Sequence, residues 1–199
     1  MRLRLASQSP RRAALLQAAG IPFEPGPFPD IEERLPPGLG PCAAVEAIAR
    51  AKALAALPLA EPGDVVLTAD TLVFLGEAPL GRPRDEAEAR AHLARLSGRT
   101  HEVVTAVAVG AVDQGLGGLR VASATTRITF RVLTADEIRG YVASGEPLDK
   151  AGAYALQGGA RRFVTCIEGD EDTVIGLPVP LVRRLLAETQ RGSGASEGA

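Results

Sequence analysis

Met1-Arg2-Leu3-Arg4-Leu5-Ala6-Ser7-Gln8-Ser9-Pro10-Arg11-Arg12 opens the chain, and in it an apolar-alternating run passes straight into a helix start. Leucines at every second position over Met1 to Ala6 carry the period of a strand. Ser9 is a favoured N-cap type and Pro10 falls at the first helical position, where its missing N–H costs nothing, so the spacing predicts a helix from there to a stop at Gly20. The helix N-terminus then faces the end of the strand. Unpaired backbone N–H groups, the positive end of the helix dipole, two hydroxyls and the guanidiniums of Arg11 and Arg12 converge there. That combination suits polyanionic oxygens such as those of a nucleoside triphosphate. The competing reading leaves Arg11 and Arg12 as solvated first-turn residues, but cations at a helix N-terminus oppose the dipole and need some reason to be there.

Outward from this junction, strands and helices alternate. A Pro-rich loop, Ile21 to Gly40, carries the acids Asp30, Glu32 and Glu33, and an Ala-rich helix follows from Pro41 to Leu57, stopped by Pro58. Val65 to Leu75 (VVLTADTLVFL) is a nearly continuous apolar run, the pattern of a strand buried on both faces, turned by Gly76 to Gly81. Asp85 with Glu88 predicts a capped helix ending at Ser97-Gly98. Two long β segments, Thr100 to Val112 and Leu119 to Leu133, read as a hairpin joined at Gly115 to Gly118. Thr134 with Glu137 forms a second capping box, for a helix ending near Gly145. Glu146 to Gly159 (EPLDKAGAYALQGG) is a long loop of functional character, and a strand at Phe163 to Ile167 and a helix from Pro180 to Gln190 close the fold. The expectation is an α/β domain over 1–190 with a tail at Arg191 to Ala199.

Composition narrows the function classes. With 199 residues, 46% of them hydrophobic, the chain can bury a full core. A net charge of -2 without any block of Lys or Arg argues against a nucleic-acid sleeve or a binder of acidic membranes, and leaves a small anionic ligand open. No apolar run approaches the roughly 18 residues a membrane span needs, so the expected location is the cytoplasm. Cys42 and Cys166 are far apart and form no CxxC pair; they read as small apolar structural residues.

Several side chains stand out against their surroundings. Asp70 interrupts the apolar run, and a carboxylate there is costly to bury without a partner. A general base, a ligand to a hard cation such as Mg²⁺, and a strand end bonded to backbone amides all fit it. Glu33 offers a second oxygen donor, against the plainer reading of a solvated loop charge. On the Ala-rich helix the apolar stripe Val45, Ile48, Ala49 continues to Lys52, which either snorkels to water or presents an ammonium to a phosphate. Lys150, Arg82 and Arg84 have the same two readings. Gln157 can donate to a carbonyl and accept from an N–H at once, matching the imide edge of uracil or thymine, or can bond its own loop. His92 reads as solvated and His101 as bonding the turn before it. P-loop, dinucleotide-binding, nucleophile-elbow and His-rich zinc motifs are absent from the sequence.

Taken together, SQSPRR (Ser7–Arg12), ADTLVF (Ala69–Phe74), LSGRTHEVVTAVA (Leu96–Ala108), GEPLDKAGAYALQG (Gly145–Gly158) and VIGLP (Val174–Pro178) resemble the Maf family, known as septum-formation inhibitors and as nucleoside triphosphate pyrophosphatases. The resemblance covers nearly the whole chain. It implies an elongated central mixed β-sheet flanked by helices, with two lobes around a cleft, of the inosine triphosphatase type. It also implies a homodimer and a divalent cation, Mg²⁺ or Mn²⁺. The implied reaction is hydrolysis between the α- and β-phosphates. Asp70 takes the place of the general base, Glu33 and Asp70 hold the metal, and Ser9, Arg12, Lys52, Arg82 and Lys150 bind the triphosphate. Arg11, Thr71 and Gln157 match the branch acting on dTTP and UTP rather than the one acting on 7-methyl-GTP.

The chain departs from that pattern at three places. Arg82 stands where the family has lysine, changing reach and donor geometry. Gly159-Ala160-Arg161-Arg162 replaces a more glycine-rich turn, and Gly169-Asp170-Glu171-Asp172-Thr173 replaces a Gly-Ser-Tyr stretch. Two alternatives stand beside the dTTP/UTP reading: a house-cleaning pyrophosphatase for modified pyrimidine triphosphates, and a non-catalytic binding protein restraining cell division. A bound-nucleotide sensor without turnover is conceivable too, but a desolvated carboxylate beside a cluster of cations is needed by a hydrolase and not by such a sensor.

Overall fold

The structure is a computed structural model that describes residues 2–29, 31 and 35–194. Asp30, Glu32 and Glu33 lie outside the described residues. The elements are strands β1 (Arg2–Leu5), β2 (Glu24–Pro25), β3 (Asp64–Leu75), β4 (Ala78–Leu80), β5 (Thr100–Ala111), β6 (Arg120–Phe130) and β7 (Val164–Glu168). Interleaved with them are helices α1 (Pro10–Ala18), α2 (Pro41–Ala56), α3 (Glu86–Leu96), α4 (Ala135–Ala143), α5 (Glu171–Ile175) and α6 (Val179–Gly194). They form one seven-stranded sheet in the order β2-β1-β3-β5-β6-β7, with β4 paired to β3. β1 runs parallel to both β2 and β3, while β3–β4 and β6–β7 are antiparallel. The class is therefore α/β with a mixed sheet flanked by helices, as expected.

Local chemistry accounts for the element ends. α1 stops in a Schellman turn: Ile21 N–H donates to the Leu16 carbonyl and Gly20 N–H to that of Gln17, each at 3.0 Å. Gly20 supplies the left-handed residue, φ +65°, that this turn requires. Asp85 accepts from the Glu88 amide at 2.8 Å to start α3, and Thr134 with Glu137 completes a reciprocal capping box on α4. A cap of this kind stabilises its helix by about 1 kcal/mol. Ser9 occupies the N-cap position of α1, yet its side chain makes no capping bond; the Ser9 amide instead donates to Ser7 Oγ at 3.2 Å.

The chain divides into two compact units. The first comprises Met1–Asp70, Thr105–Ala124 and Gly176–Ala199, and the second Thr71–Val104 and Thr125–Ile175. The core of the first gathers leucines and valines of β1, β3, β5 and α6 around Leu16, Leu67, Leu177 and Val182. The core of the second gathers α3, α4 and β6 around Leu93, Leu96, Phe130, Tyr141, Tyr154 and Phe163. Each fully buried leucine among them contributes about 2 kcal/mol by removing its side chain from water. Among the described residues, no helix is long and apolar enough to cross a membrane.

Several expectations need correction. Gly76 to Gly81 is no simple turn, because Ala78–Leu80 pairs with Val73–Leu75 as β4. Residues 171–175, within the acidic stretch, are helical as α5, and α6 continues through Arg191 to Gly194. His92 is buried: on α3 the inward stripe is Ala89, His92, Leu93 and Leu96, the i, i+3, i+4, i+7 face, and burial lowers its pKa. His101 also reaches beyond the turn before it, since its Nε2 lies 2.9 Å from the Tyr154 hydroxyl inside the aromatic cluster. Cys42 and Cys166 are both exposed, Cys42 in the first turn of α2 and Cys166 on β7, so neither serves as a small core residue.

Candidate active site

The first unit builds its site at the carboxyl end of the parallel pair β1–β3. Leu5 is level with Leu67, and the Ala6 amide donates to the Leu67 carbonyl at 2.9 Å. β1 therefore ends three residues before Asp70, and the chain turns through Ser7 to Ser9 into α1. From β1 the chain proceeds to β2 on one side; from β3 it proceeds toward β5 on the other. A crevice outside the carboxyl ends of strands whose connections diverge in this way is where open α/β sheets bind ligands.

Asp70 lies on β3 and is 5% exposed; Lys52 lies on the inward stripe of α2 and is 7% exposed. Lys52 Nζ donates to Asp70 Oδ1 at 2.6 Å, an ion pair shut away from bulk water. The lysine does not snorkel, because α2 packs on β3 along the face that carries it. One polar contact fixes that packing: Thr68 Oγ1, two residues before Asp70, donates to the Ala49 carbonyl at 2.9 Å, three residues before Lys52. Thr68 is fully buried and escaped the sequence reading. A threonine at i−2 to a strand carboxylate, hence on the same face of the strand, is the signal that could have found it.

Arg12, the second residue after Pro10, is half-buried and held by the protein. Its Nε donates to the Gly176 carbonyl at 2.9 Å and its Nη1 to Ser7 Oγ at 3.1 Å. A main-chain carbonyl and a hydroxyl thus hold the guanidinium in place, and α1 has no acidic residue in its first turn. Arg11 and Ser9 are half-buried beside it.

The second unit carries Thr71, Arg82, Lys150 and Gln157. Thr71 directly follows Asp70 and is half-buried, and Arg82 is exposed just after β4. Lys150 Nζ donates to the Glu146 carbonyl at 3.3 Å and pairs with the adjacent Asp149 carboxylate. Gln157 is exposed in the turn after Leu156, and its side-chain amide bonds no other described residue. The reading in which that amide merely ties its own loop is not what the structure has.

That loop is held by residues the sequence reading did not single out. Tyr141 Oη donates to Glu146 Oε1 at 2.6 Å and accepts from the Ala155 amide at 3.0 Å, while the Gly159 amide donates to both Glu146 oxygens at 3.1 and 3.2 Å. Burial, followed by the Glu146 carboxylate, pushes the Tyr141 phenol upward. Burial also drives His101 down to about 4, so it stays neutral in the core at neutral pH. Asp172 is raised by burial and by Asp170 and Glu171 beside it, while Arg161 pairs with Glu171 at 2.7 Å.

Among the described residues, no group of three or more His, Cys, Asp or Glu side chains is placed to hold a metal. Asp70 alone of the two expected ligands is described. Its carboxylate is a hard oxygen donor of the type Mg²⁺ takes, and Mg²⁺ at nucleotide sites is commonly held by one or two carboxylates plus phosphate oxygens rather than by an all-protein cage. The donor chemistry therefore fits.

Residues 2–189 match the family described as Maf-like protein. A dTTP/UTP pyrophosphatase of Moorella thermoacetica is 50% identical over 187 residues, covering 94% of this chain and 94% of that protein. One from Anaeromyxobacter dehalogenans is 48% identical over 185 residues, covering 93% and 92%. The crystal structure of a nucleoside-triphosphatase, a dITP/XTP pyrophosphatase of Mycobacterium abscessus, is 20% identical with a TM-score of 0.42, covering 65% of this chain and 74% of that one; so slight a likeness carries no argument.

Proposed function

The chain belongs to the Maf family, and we propose that within it the protein is a nucleoside triphosphate pyrophosphatase acting on dTTP and UTP. The relatives that share about half its sequence over nearly its whole length carry that name. The observation that carries the chemistry is the buried Lys52–Asp70 pair at 2.6 Å, set at the carboxyl end of β1–β3 where α1 begins. A carboxylate and an ammonium are retained there at a desolvation cost that packing alone does not require.

In this reading Asp70 accepts a proton from a water molecule as that water attacks the α-phosphorus. The bond from the α-phosphorus to the oxygen bridging to the β-phosphate breaks, and pyrophosphate leaves with that oxygen, giving a nucleoside monophosphate. Arg12, already oriented by Gly176 and Ser7, binds phosphate oxygens without first having to be ordered. Ser9, Arg11 and the N–H groups of α1 add donors at the same helix end. Lys52 keeps positive charge beside Asp70 and the developing phosphate charge. Glu33 and Asp70 would hold the divalent metal, Mg²⁺ or Mn²⁺, which supplies charge neutralisation when bound. Thr71, Arg82 and Lys150 keep the substrate-binding roles that the family resemblance implies, and Gln157 reads the imide edge of the base. The same resemblance extends the reading to a homodimer, which light scattering on the purified protein tests, and the lack of a membrane-spanning run extends it to a cytoplasmic location.

Pyrophosphate release from canonical and 5-modified nucleoside triphosphates, with Mg²⁺ or Mn²⁺ and beside Asp70→Asn, tests the reading. The expected result is release from dTTP and UTP that falls by about 10²- to 10⁴-fold in the variant, the contribution of a positioned base. No release from any nucleotide, or release unchanged in Asp70→Asn, refutes it. Release confined to 5-modified pyrimidines would assign the substrate to the house-cleaning class.

A further inference from the structure

We propose that Glu146 is a positioning residue for base selection: with Tyr141 it clamps the 155–159 turn and so sets where Gln157 presents its amide. The inference rests on the reading of Gln157 given above and goes beyond it. Glu146 stands at the foot of the loop and Gly159 at its far end, and one carboxylate spans both. It accepts the Gly159 amide on both oxygens and the Tyr141 hydroxyl on Oε1. The hydroxyl in turn accepts the Ala155 amide at 3.0 Å. The two main-chain amides that bracket Gln157 are thereby tied to a single charged group, two residues away on either side.

The anchor itself is rigid. Tyr141 is 2% exposed, and its ring meets that of Phe163 edge to face at 5.3 Å, inside the core of the second unit. The turn lies directly against the carboxylate. A Cβ on Gly158 would run into the Glu146 carboxylate, so a side chain there would push that carboxylate out of place.

Selection gives the clamp its purpose. Uracil and thymine offer an N3–H donor beside carbonyl acceptors, whereas cytosine offers an N3 acceptor beside an amino donor. A glutamine amide can present its oxygen and its NH₂ in either order. It discriminates only where the main chain beneath it is fixed in distance and direction.

The test compares kcat/KM for dTTP and dCTP in the full-length protein, in Gln157→Ala, in Glu146→Ala and in the double variant. The expected result is a dTTP/dCTP ratio lowered about tenfold by Gln157→Ala, the weight of one good hydrogen bond, by a similar factor in Glu146→Ala, and no further in the double variant. Tyr141→Phe keeps the ring in the core and removes only the hydroxyl, and it is expected to lower the ratio in the same direction. It decides the matter should Glu146→Ala not fold. Loss of kcat for both nucleotides with the ratio intact in Glu146→Ala and Tyr141→Phe, while Gln157→Ala lowers it, overturns the positioning role and leaves the Gln157 reading standing. A further drop in the double variant also overturns it, because Glu146 would then act apart from Gln157. An unchanged ratio in Gln157→Ala removes the reading on which the inference rests, and the inference with it.

Discussion

Breaking the Lys52–Asp70 pair one charge at a time should cost more stability than removing it whole. The two side chains are 8% and 7% exposed and their charged atoms are 2.6 Å apart. At an effective dielectric constant of about 20 their attraction is about 6 kcal/mol, most of it spent on having left water. Removing one partner leaves the other charge in the core with its ion-pair partner gone, for which about 3 kcal/mol is expected, toward the lower end of the range for buried pairs because both groups keep a little exposure. Lys52→Met and Asp70→Ala should each cost that amount. In a chain of this length the melting temperature then falls by roughly 6–12 °C. The double variant removes both charges, and its cost should return to about 1 kcal/mol, leaving a coupling energy of several kcal/mol.

Urea unfolding of the four proteins at pH 7 measures the cycle, and pyrophosphate release measures function in the same samples. Activity should be lost in all three variants, including the double variant whose stability recovers. Additive costs in the double variant, or single changes worth less than about 0.5 kcal/mol, would show that the pair is solvated like a surface ion pair and would sink the argument for a desolvated catalytic centre.

Three further outcomes are expected. His101 has its pKa depressed to about 4 in the folded chain, chiefly by burial, against 6.5 when unfolded, so stability is full above pH 7 and falls by up to about 3 kcal/mol as the pH drops from 6.5 to 4. Acid unfolding of His101→Phe beside the parent chain should lack that component; equal slopes in the two proteins would contradict it. Asp64 is 2% exposed, and although burial pushes its carboxyl up, the Glu61 amide together with Arg4 and Arg2 holds it below the ordinary range. Its contribution is therefore present above the usual carboxylate pKa and lost as the pH falls through its own lower value. Asp64→Asn should cost about 2 kcal/mol at pH 7, less than a fully buried pair because Arg2 stays half exposed, and the difference should close at strongly acid pH. Arg12→Lys keeps the charge but gives up the fork that grips Gly176 and Ser7, so KM for the nucleotide should rise about tenfold with kcat less affected. An unchanged KM would mean the guanidinium geometry is unused.

What could be read from the sequence and what could not divides along the reach of the interactions. The capping box at Thr134 and Glu137, the cap at Asp85 and the Gly20 stop are made within a few residues, and each stands where local chemistry put it. β4 is three residues long and exists because Val73–Leu75 offer it an edge; nothing within Ala78–Leu80 itself demands a strand. His92 is a different kind of miss, since its i, i+3, i+4, i+7 neighbours on the inward face are local in the sequence and outweigh the polarity of the rest of α3. The loop of Gln157 showed its chemistry but not its clamp, because Tyr141 and Glu146 act through main-chain amides, and an amide carries no sequence identity.

The site residues obey the same rule with one addition. Arg12 is gripped in part by a carbonyl 164 residues away, which no local reading could name. Lys52 and Asp70 are separated by 18 residues on different elements, so their contact is equally non-local. Yet each was an anomaly of the same magnitude and opposite sign: an ammonium on an apolar helical stripe and a carboxylate inside an apolar strand, both too costly to bury alone. Two such costs in neighbouring elements that share one core cancel most cheaply against each other. A pair of opposite charges stranded in consecutive apolar elements is therefore itself a long-range contact signal. Here it points to the atom pair on which the proposed chemistry turns.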